Sequence, residues 1–163
     1  MDLKYFFVVI RSRTSVKSRD EVLYKMNKMR EELIAPCGMN CRLCMANQRE
    51  KNHCKGCRNE DDIRYKTKNS TSCIIKNCSV IQSNKSGFCF ECDKFPCIRL
   101  KQLDKRYRSK YHMSMIENLE HIKQNNLDSF LQHEEIRWSC KECGNFVCVH
   151  KHICLVCKTS FIE

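Results

Sequence analysis

Near the C-terminal end, Cys140, Cys143, Cys154 and Cys157 form two Cys-x-x-Cys pairs separated by a short insert. Each pair can present two thiolates to one tetrahedral ion, and a hairpin between the pairs would close the site. The spacing predicts a zinc ribbon. Cys148, His150 and His152 lie in the insert. They read as hairpin filling or exposed side chains rather than ligands.

A second and larger group of thiols runs from Cys37 to Cys97. Two quartets can be drawn there. Cys41-x2-Cys44 with Cys54-x2-Cys57 is one, with Gly56 supplying a tight knuckle turn. Cys73-x4-Cys78 with Cys89-x2-Cys92 is the other. Interleaved pairings use the same residues equally well. With the ribbon, this bookkeeping gives two or three zinc ions. His53 beside Cys54 could replace a ligand, although an exposed histidine is the simpler reading. Cys37 and Cys97 are left at the two ends. They are weak candidates for a reactive thiol pair, since nearby cations lower a thiol pKa. The plainer alternative makes them buried thiols or ligands in another pairing.

Cys37-x3-Cys41-x2-Cys44 also allows a different cofactor, a [4Fe–4S] cluster on Cys37, Cys41, Cys44 and one further ligand. The same spacing occurs in radical S-adenosylmethionine enzymes, but their large barrel of alternating strands and helices has no counterpart here. An iron–sulfur or thiol-redox protein stays open as an alternative to zinc. No Ser/His/Asp set, phosphate-binding glycine loop or carboxylate pair stands out, and the reading leans away from an enzyme.

Composition bears on metal against disulfide. Fifteen cysteines is an odd number, and they come in ligand-type spacing. The apolar run Tyr5 to Ile10 is short for a signal peptide and no small-residue cleavage site follows. A reducing cytoplasm without a membrane span is the expectation. The formal charge is +11. Each Zn(Cys)4 site contributes about −2, so three sites would leave roughly +5. The basic excess alone is therefore a poor argument for nucleic acid.

The positioning elements divide the chain into four segments. Residues 1–28 form an N-terminal extension. Ser18 and Glu21 make a capping-box pattern ahead of Val22, Met26, Met29 and Leu33 at helical spacing. Met26 or Met29 could equally serve as the start of the chain. Residues 29–97 are rich in turn formers and short of periodic apolar residues, so metal is expected to replace a core. Short helices are expected at Leu43 to Gln48 and around Ile74 to Ile81. Residues 98–137 read as three helices. Ile98, Leu100 and Leu103 open the first. Ser114 and Glu117 cap the second, with Met115, Ile116, Leu119 and Ile122 as its stripe. Asn125-Asn126 breaks it, and Leu127, Phe130, Leu131, Ile136 and Trp138 continue on the third. These faces are expected to supply the only conventional core. Residues 138–163 are the ribbon, with Val147, Val149 and Ile153 in short strands.

The first of these helices carries Arg99, Lys101, Lys105, Arg106, Arg108 and Lys110, with Tyr107 and Tyr111 interleaved. Cations could hold phosphates and tyrosines could stack on bases. Nucleic acid is thus a possible partner, a protein the other. Solvated charge and inward tyrosines are the plainer reading.

The order Ala35-Pro36-Cys37-Gly38-x-x-Cys41-x-x-Cys44, Cys54-x-Gly56-Cys57, Cys73, Cys78 and Cys89-x-x-Cys92-x-x-Phe95-Pro96-Cys97 resembles the domain-of-unknown-function family DUF3795. Arg99 to Lys101 with Asp104 and Tyr107, Met113 to Leu119, and Trp138 to Cys143 extend the likeness over about residues 29–158. The resemblance implies metal binding in a cytosolic prokaryotic protein and brings no established activity. The expected fold is a small cysteine-rich α+β protein: a metal-stapled irregular module, a helical layer and a C-terminal zinc ribbon.

Overall fold

The computed structural model describes residues 28–59 and 71–161. Most of the expected N-terminal helix, including its cap at Ser18 and Glu21, lies outside them. Where its end is described, Arg30 is extended and a single 3-10 turn spans Glu31–Leu33. The protein is mostly helical, with one two-stranded hairpin near the C-terminus.

Among its described residues, the cysteine-rich stretch holds only short elements: a 3-10 turn Cys41–Leu43, helix α1 (Met45–Gln48), helix α2 (Ser79–Ser83) and a 3-10 turn Cys89–Glu91. The helix expected around Ile74 to Ile81 thus starts later, at Ser79, behind a turn at 74–77. Three longer helices follow: α3 (Ile98–Tyr111), α4 (Met115–Asn125) and α5 (Leu127–Trp138). Strands β1 (Val147–Cys148) and β2 (Ile153–Cys154) are antiparallel, pairing Val147 with Cys154 and Cys148 with Ile153. Val149 falls just outside β1; it is buried, and its N–H donates to the Leu43 carbonyl at 3.0 Å.

The helix boundaries follow from the sequence. Ser114 caps α4, its hydroxyl accepting from the Glu117 N–H at 3.1 Å. Asn126, at φ 71°, ends α4 and caps α5 through its side chain, which accepts from the Ser129 N–H at 3.0 Å. Asp104 on α3 binds the turn between α3 and α4. It accepts from the Ser114 hydroxyl at 2.7 Å, the Ile116 N–H at 3.0 Å and Arg108 Nε at 2.7 Å. Burial pushes the Asp104 carboxyl up, but these three donors outweigh it and leave the pKa below the ordinary value.

One continuous core runs through the chain. Leu33, Ile34, Met39, Leu43, Ile75 and Phe88 pack with Leu100, Met115, Leu119, Phe130 and Trp138, and with Phe146 and Val147 of the hairpin. The cysteine-rich stretch therefore contributes apolar core of its own, contrary to the expectation that the helices supply all of it. Ile136 departs from expectation as well. It is 82 % exposed, while Glu134 is buried. Phe130 and Trp138 fix the register of α5, and the position four residues from each points inward.

Glu134 accepts from Asn40 Nδ2 at 3.1 Å and from Trp138 Nε1 at 3.0 Å. Burial pushes its carboxyl up to about 7, against an ordinary value of 4.5. The folded state thus holds the proton more tightly than the unfolded chain. The contribution of a protonated Glu134 is fully present below pH 4.5 and is lost as pH rises through about 7. Glu134→Gln removes this dependence. The stability difference between variant and wild type is expected to shift by about 3 kcal/mol in the variant's favour from acid to pH 8. Paired urea unfolding curves at several pH values check it; a pH-independent difference would contradict it.

Candidate metal centre

The ribbon is built from two copies of one turn. Gly144 N–H donates to the Cys140 carbonyl at 2.8 Å, and Lys158 N–H donates to the Cys154 carbonyl at 2.9 Å. Gly144 and Lys158 are both left-handed, at φ 69° and 66°. Each turn is closed from the far side: Cys140 N–H donates to Asn145 O at 2.7 Å, and Cys154 N–H to Thr159 O at 2.9 Å. Both knuckles project their thiols to a common point.

There the four Sγ atoms of Cys140, Cys143, Cys154 and Cys157 all lie within 4.8 Å of one another. The Cys140–Cys157 and Cys143–Cys154 sulfurs are each 3.5 Å apart. Among the described residues this is the one group of three or more His, Cys, Asp or Glu side chains that converges so. Cys140 and Cys154 are buried; Cys143 and Cys157 are exposed. Burial pushes Cys154 up to about 11. The Asn145 backbone N–H and side chain hold Cys143 below the ordinary thiol value. Thr159, whose Oγ1 lies 3.2 Å from the Cys157 sulfur, brings Cys157 down to about 6. Hydrogen-bond donors turned toward sulfur favour the thiolate, the form a metal takes. No Cβ clash awaits a side chain at Gly144, whose surroundings are open. Gly144→Ala therefore costs only its left-handed backbone, about 1 kcal/mol. If the site is loaded with a metal, a chelator competition should show slightly weaker retention in the variant, and an unchanged or tighter site would contradict this.

The hairpin insert is docked rather than free. Cys148 is fully buried. His150 Nδ1 accepts from the Met45 N–H at 3.3 Å and its Nε2 lies 3.1 Å from the Tyr107 hydroxyl. Burial lowers the His150 pKa. His152 Nε2 lies 3.0 Å from the Lys110 carbonyl.

The ten thiols of residues 37–97 sit in a different setting. Pro36 and Gly38 flank Cys37 in a tight loop, closed by Ala35 N–H to Met39 O at 2.8 Å and Gly38 N–H to Ala35 O at 2.9 Å. Cys89 N–H donates to Pro36 O at 3.0 Å, bringing the later knuckle beside this loop. Cys44 N–H donates to Cys41 O and Cys92 N–H to Cys89 O, at 3.1 and 3.2 Å, so these two of the three Cys-x-x-Cys pairs adopt a 3-10 knuckle. Cys57 N–H donates to Cys41 Sγ at 3.4 Å. Hydrogen bonding to Cys57 and burial raise the Cys41 pKa, and burial raises that of Cys44, with Cys54 and Cys57 among its electrostatic neighbours. Burial pushes Cys89 up to about 12, with Cys97, Cys78, Cys92 and Cys73 adding to it. Cys37 is pushed far above the ordinary thiol range, first by burial and then by Cys57. Without a cation these buried sulfurs stay protonated, and Cys37 is a poor nucleophile. None of the fifteen cysteines is in a disulfide.

The basic helix follows the plainer of its two readings. Arg99, Lys101, Lys105, Arg106, Arg108 and Lys110 are all exposed. Tyr107 and Tyr111 turn inward, packing on each other at 5.0 Å and on His150 at 5.7 and 4.8 Å. Burial, then Cys44, raises the Tyr107 pKa. They cannot stack on bases from the outer face. At 100° per residue the cations form two rows flanking the buried face: Arg99, Arg106 and Lys110 on one, Lys101, Lys105 and Arg108 on the other. Arg108 is engaged by Asp104 at 2.7 Å and Glu117 at 2.8 Å.

Among the described residues no helix is long and apolar enough to cross a membrane. No curated protein and no solved structure matches the chain. The Met113 to Leu119 and Trp138 to Cys143 segments of the expected likeness lie beyond the family match, which spans the ten thiols and the start of α3. Over residues 33–102 the chain matches the model of the family described as Protein of unknown function (DUF3795).

Proposed function

We propose that this chain is a zinc-binding, non-enzymatic interaction module of a reducing cytoplasm. The observation that carries the reading is the convergence of four thiols on one point at Cys140, Cys143, Cys154 and Cys157. A single tetrahedral ion suits four sulfurs at such separations. The pairwise knuckles hold them without help from distant side chains.

Two further ions are proposed within residues 37–97, where neither quartet of thiols converges as the ribbon thiols do. Cys41, Cys44, Cys54 and Cys57 make one site, supported by the Cys57 N–H to Cys41 Sγ hydrogen bond at 3.4 Å. Cys73, Cys78, Cys89 and Cys92 make the other, supported by the nearness of Cys78, Cys92 and Cys73 to Cys89, on which Cys97 acts more strongly still. Ligation there would convert protonated buried thiols to thiolates and release protons. Cys37, buried, and Cys97, half-buried, are neighbours of these sites.

Cobalt substitution tests the ribbon site. Tetrahedral tetrathiolate Co2+ gives intense visible absorption, unlike octahedral Co2+. A Co2+ titration of metal-stripped protein should develop these bands, and Cys140→Ser with Cys143→Ser should remove one equivalent of them. Brown protein carrying iron and sulfide would replace the zinc assignment in residues 37–97 with an iron–sulfur cluster on Cys37, Cys41 and Cys44.

A further inference from the structure

A cavity of about 290 Å³ opens where the C-terminal end of α3 meets the ribbon hairpin, with Tyr111, His112, Trp138, Val147, His152 and Phe161 in its lining. Its walls are largely aromatic, and the Trp138 and Phe161 rings lie 5.2 Å apart. His112 and His152 meet with ring centroids 5.6 Å apart. Both are left-handed, at φ 51° and 54°. Glycine would satisfy such a backbone at less cost, above all at His112, the residue that ends α3. The Lys110 carbonyl can only accept, so His152 Nε2 carries the proton at that 3.0 Å contact.

Lys110 and Lys151, each next in the chain to a lining residue, are exposed. Arg106 and Arg99 continue the row of Lys110 along α3, which is also exposed. From Lys110 to Arg99 the row covers about 16 Å, several phosphate spacings. Aromatic walls, imidazoles and a line of cations together match a planar base followed by a phosphodiester backbone. We propose that this cavity receives one base of a single-stranded nucleic acid whose backbone runs along Lys110, Arg106 and Arg99. The site differs from the outer face of α3, where the tyrosines are turned away. It rests on the metal reading, since the hairpin that carries Val147 and His152 is held by the four ribbon thiols.

Trp138 is the sole tryptophan of the chain, so intrinsic fluorescence reports on this cavity. Metal-loaded full-length protein is titrated with U8 RNA, T8 DNA, an eight-base-pair duplex and ribose 5-phosphate. Either single strand should quench Trp138 with micromolar affinity at low salt; ribose 5-phosphate and the duplex should not. His112→Gly should leave thermal stability unchanged or raised and weaken U8 or T8 binding at least tenfold. Arg106→Ala with Lys110→Ala should reduce the salt slope by about 1.4. Absent quenching, equal binding of duplex, or full affinity in His112→Gly overturns the proposal. Metal content, measured first, separates the failures. Protein with an empty ribbon site removes the reading beneath; metal-loaded protein without quenching removes this inference alone.

Discussion

Cys154→Ser is expected to release the ribbon ion and unfold the segment after α5, while Cys148→Ser is not. Both sulfurs are fully buried in the same hairpin, so burial alone predicts similar costs. Position separates them. Cys154 is one of the four converging thiols, and Cys148 is not. A structural zinc supplies about 10 kcal/mol or more of folding free energy. The hairpin has only two residues in each strand, too little to stand alone without its staple. Loss of Cys154 should also free His150 and Val149 from their bonds to Met45 and Leu43. Cys148→Ser should keep its metal and cost about 2 kcal/mol from a buried hydroxyl. Limited proteolysis of the two variants distinguishes them. Equal resistance to cleavage after Trp138 would contradict the assignment.

Gly38→Ala should be the most damaging substitution outside the ligands. Gly38 sits at φ +85°, and an added Cβ would lie 2.6 Å from the Met115 carbonyl and 2.9 Å from Leu119 Cγ. The first contact is with helix backbone, which cannot rotate away. Asn118 Nδ2 also donates to the Gly38 carbonyl at 2.9 Å, so displacement of the loop breaks a buried hydrogen bond. The left-handed backbone costs roughly 1–2 kcal/mol and the overpacking about 1–3. A loss of roughly 2–5 kcal/mol in urea unfolding is expected. The loop carrying Cys37 would separate from α4. A loss below about 1 kcal/mol would show that the loop and α4 do not pack this closely.

These two cases mark what the sequence could and could not reveal. The four-cysteine hairpin was legible because each cysteine pair is local and the two pairs are joined by a hairpin. Geometry and spacing therefore coincide. Gly38 was visible only as part of a recurring residue order. Its physical cause is a helix some eighty residues later, which periodicity cannot report. Glu134 was missed because the reading favoured the apolar Ile136. The spacing Phe130, Glu134, Trp138 held the signal, since i and i+4 share a helix face. Leu100, Leu103, Tyr107 and Tyr111 likewise follow one inward stripe, and that stripe outranks the charge pattern around it. The thiols of residues 37–97 were the hardest to group. Their partners lie on separate turns, and the path between them is set by the shared core rather than by local spacing.

The central claim is that the four ribbon thiols hold a metal ion. Elemental analysis of protein purified without added metal tests it most directly, comparing wild type with the Cys140→Ser, Cys154→Ser double variant. The account predicts bound zinc in the wild type and one equivalent fewer in the variant. Wild-type protein without bound metal, or a variant with the same zinc content, would contradict it.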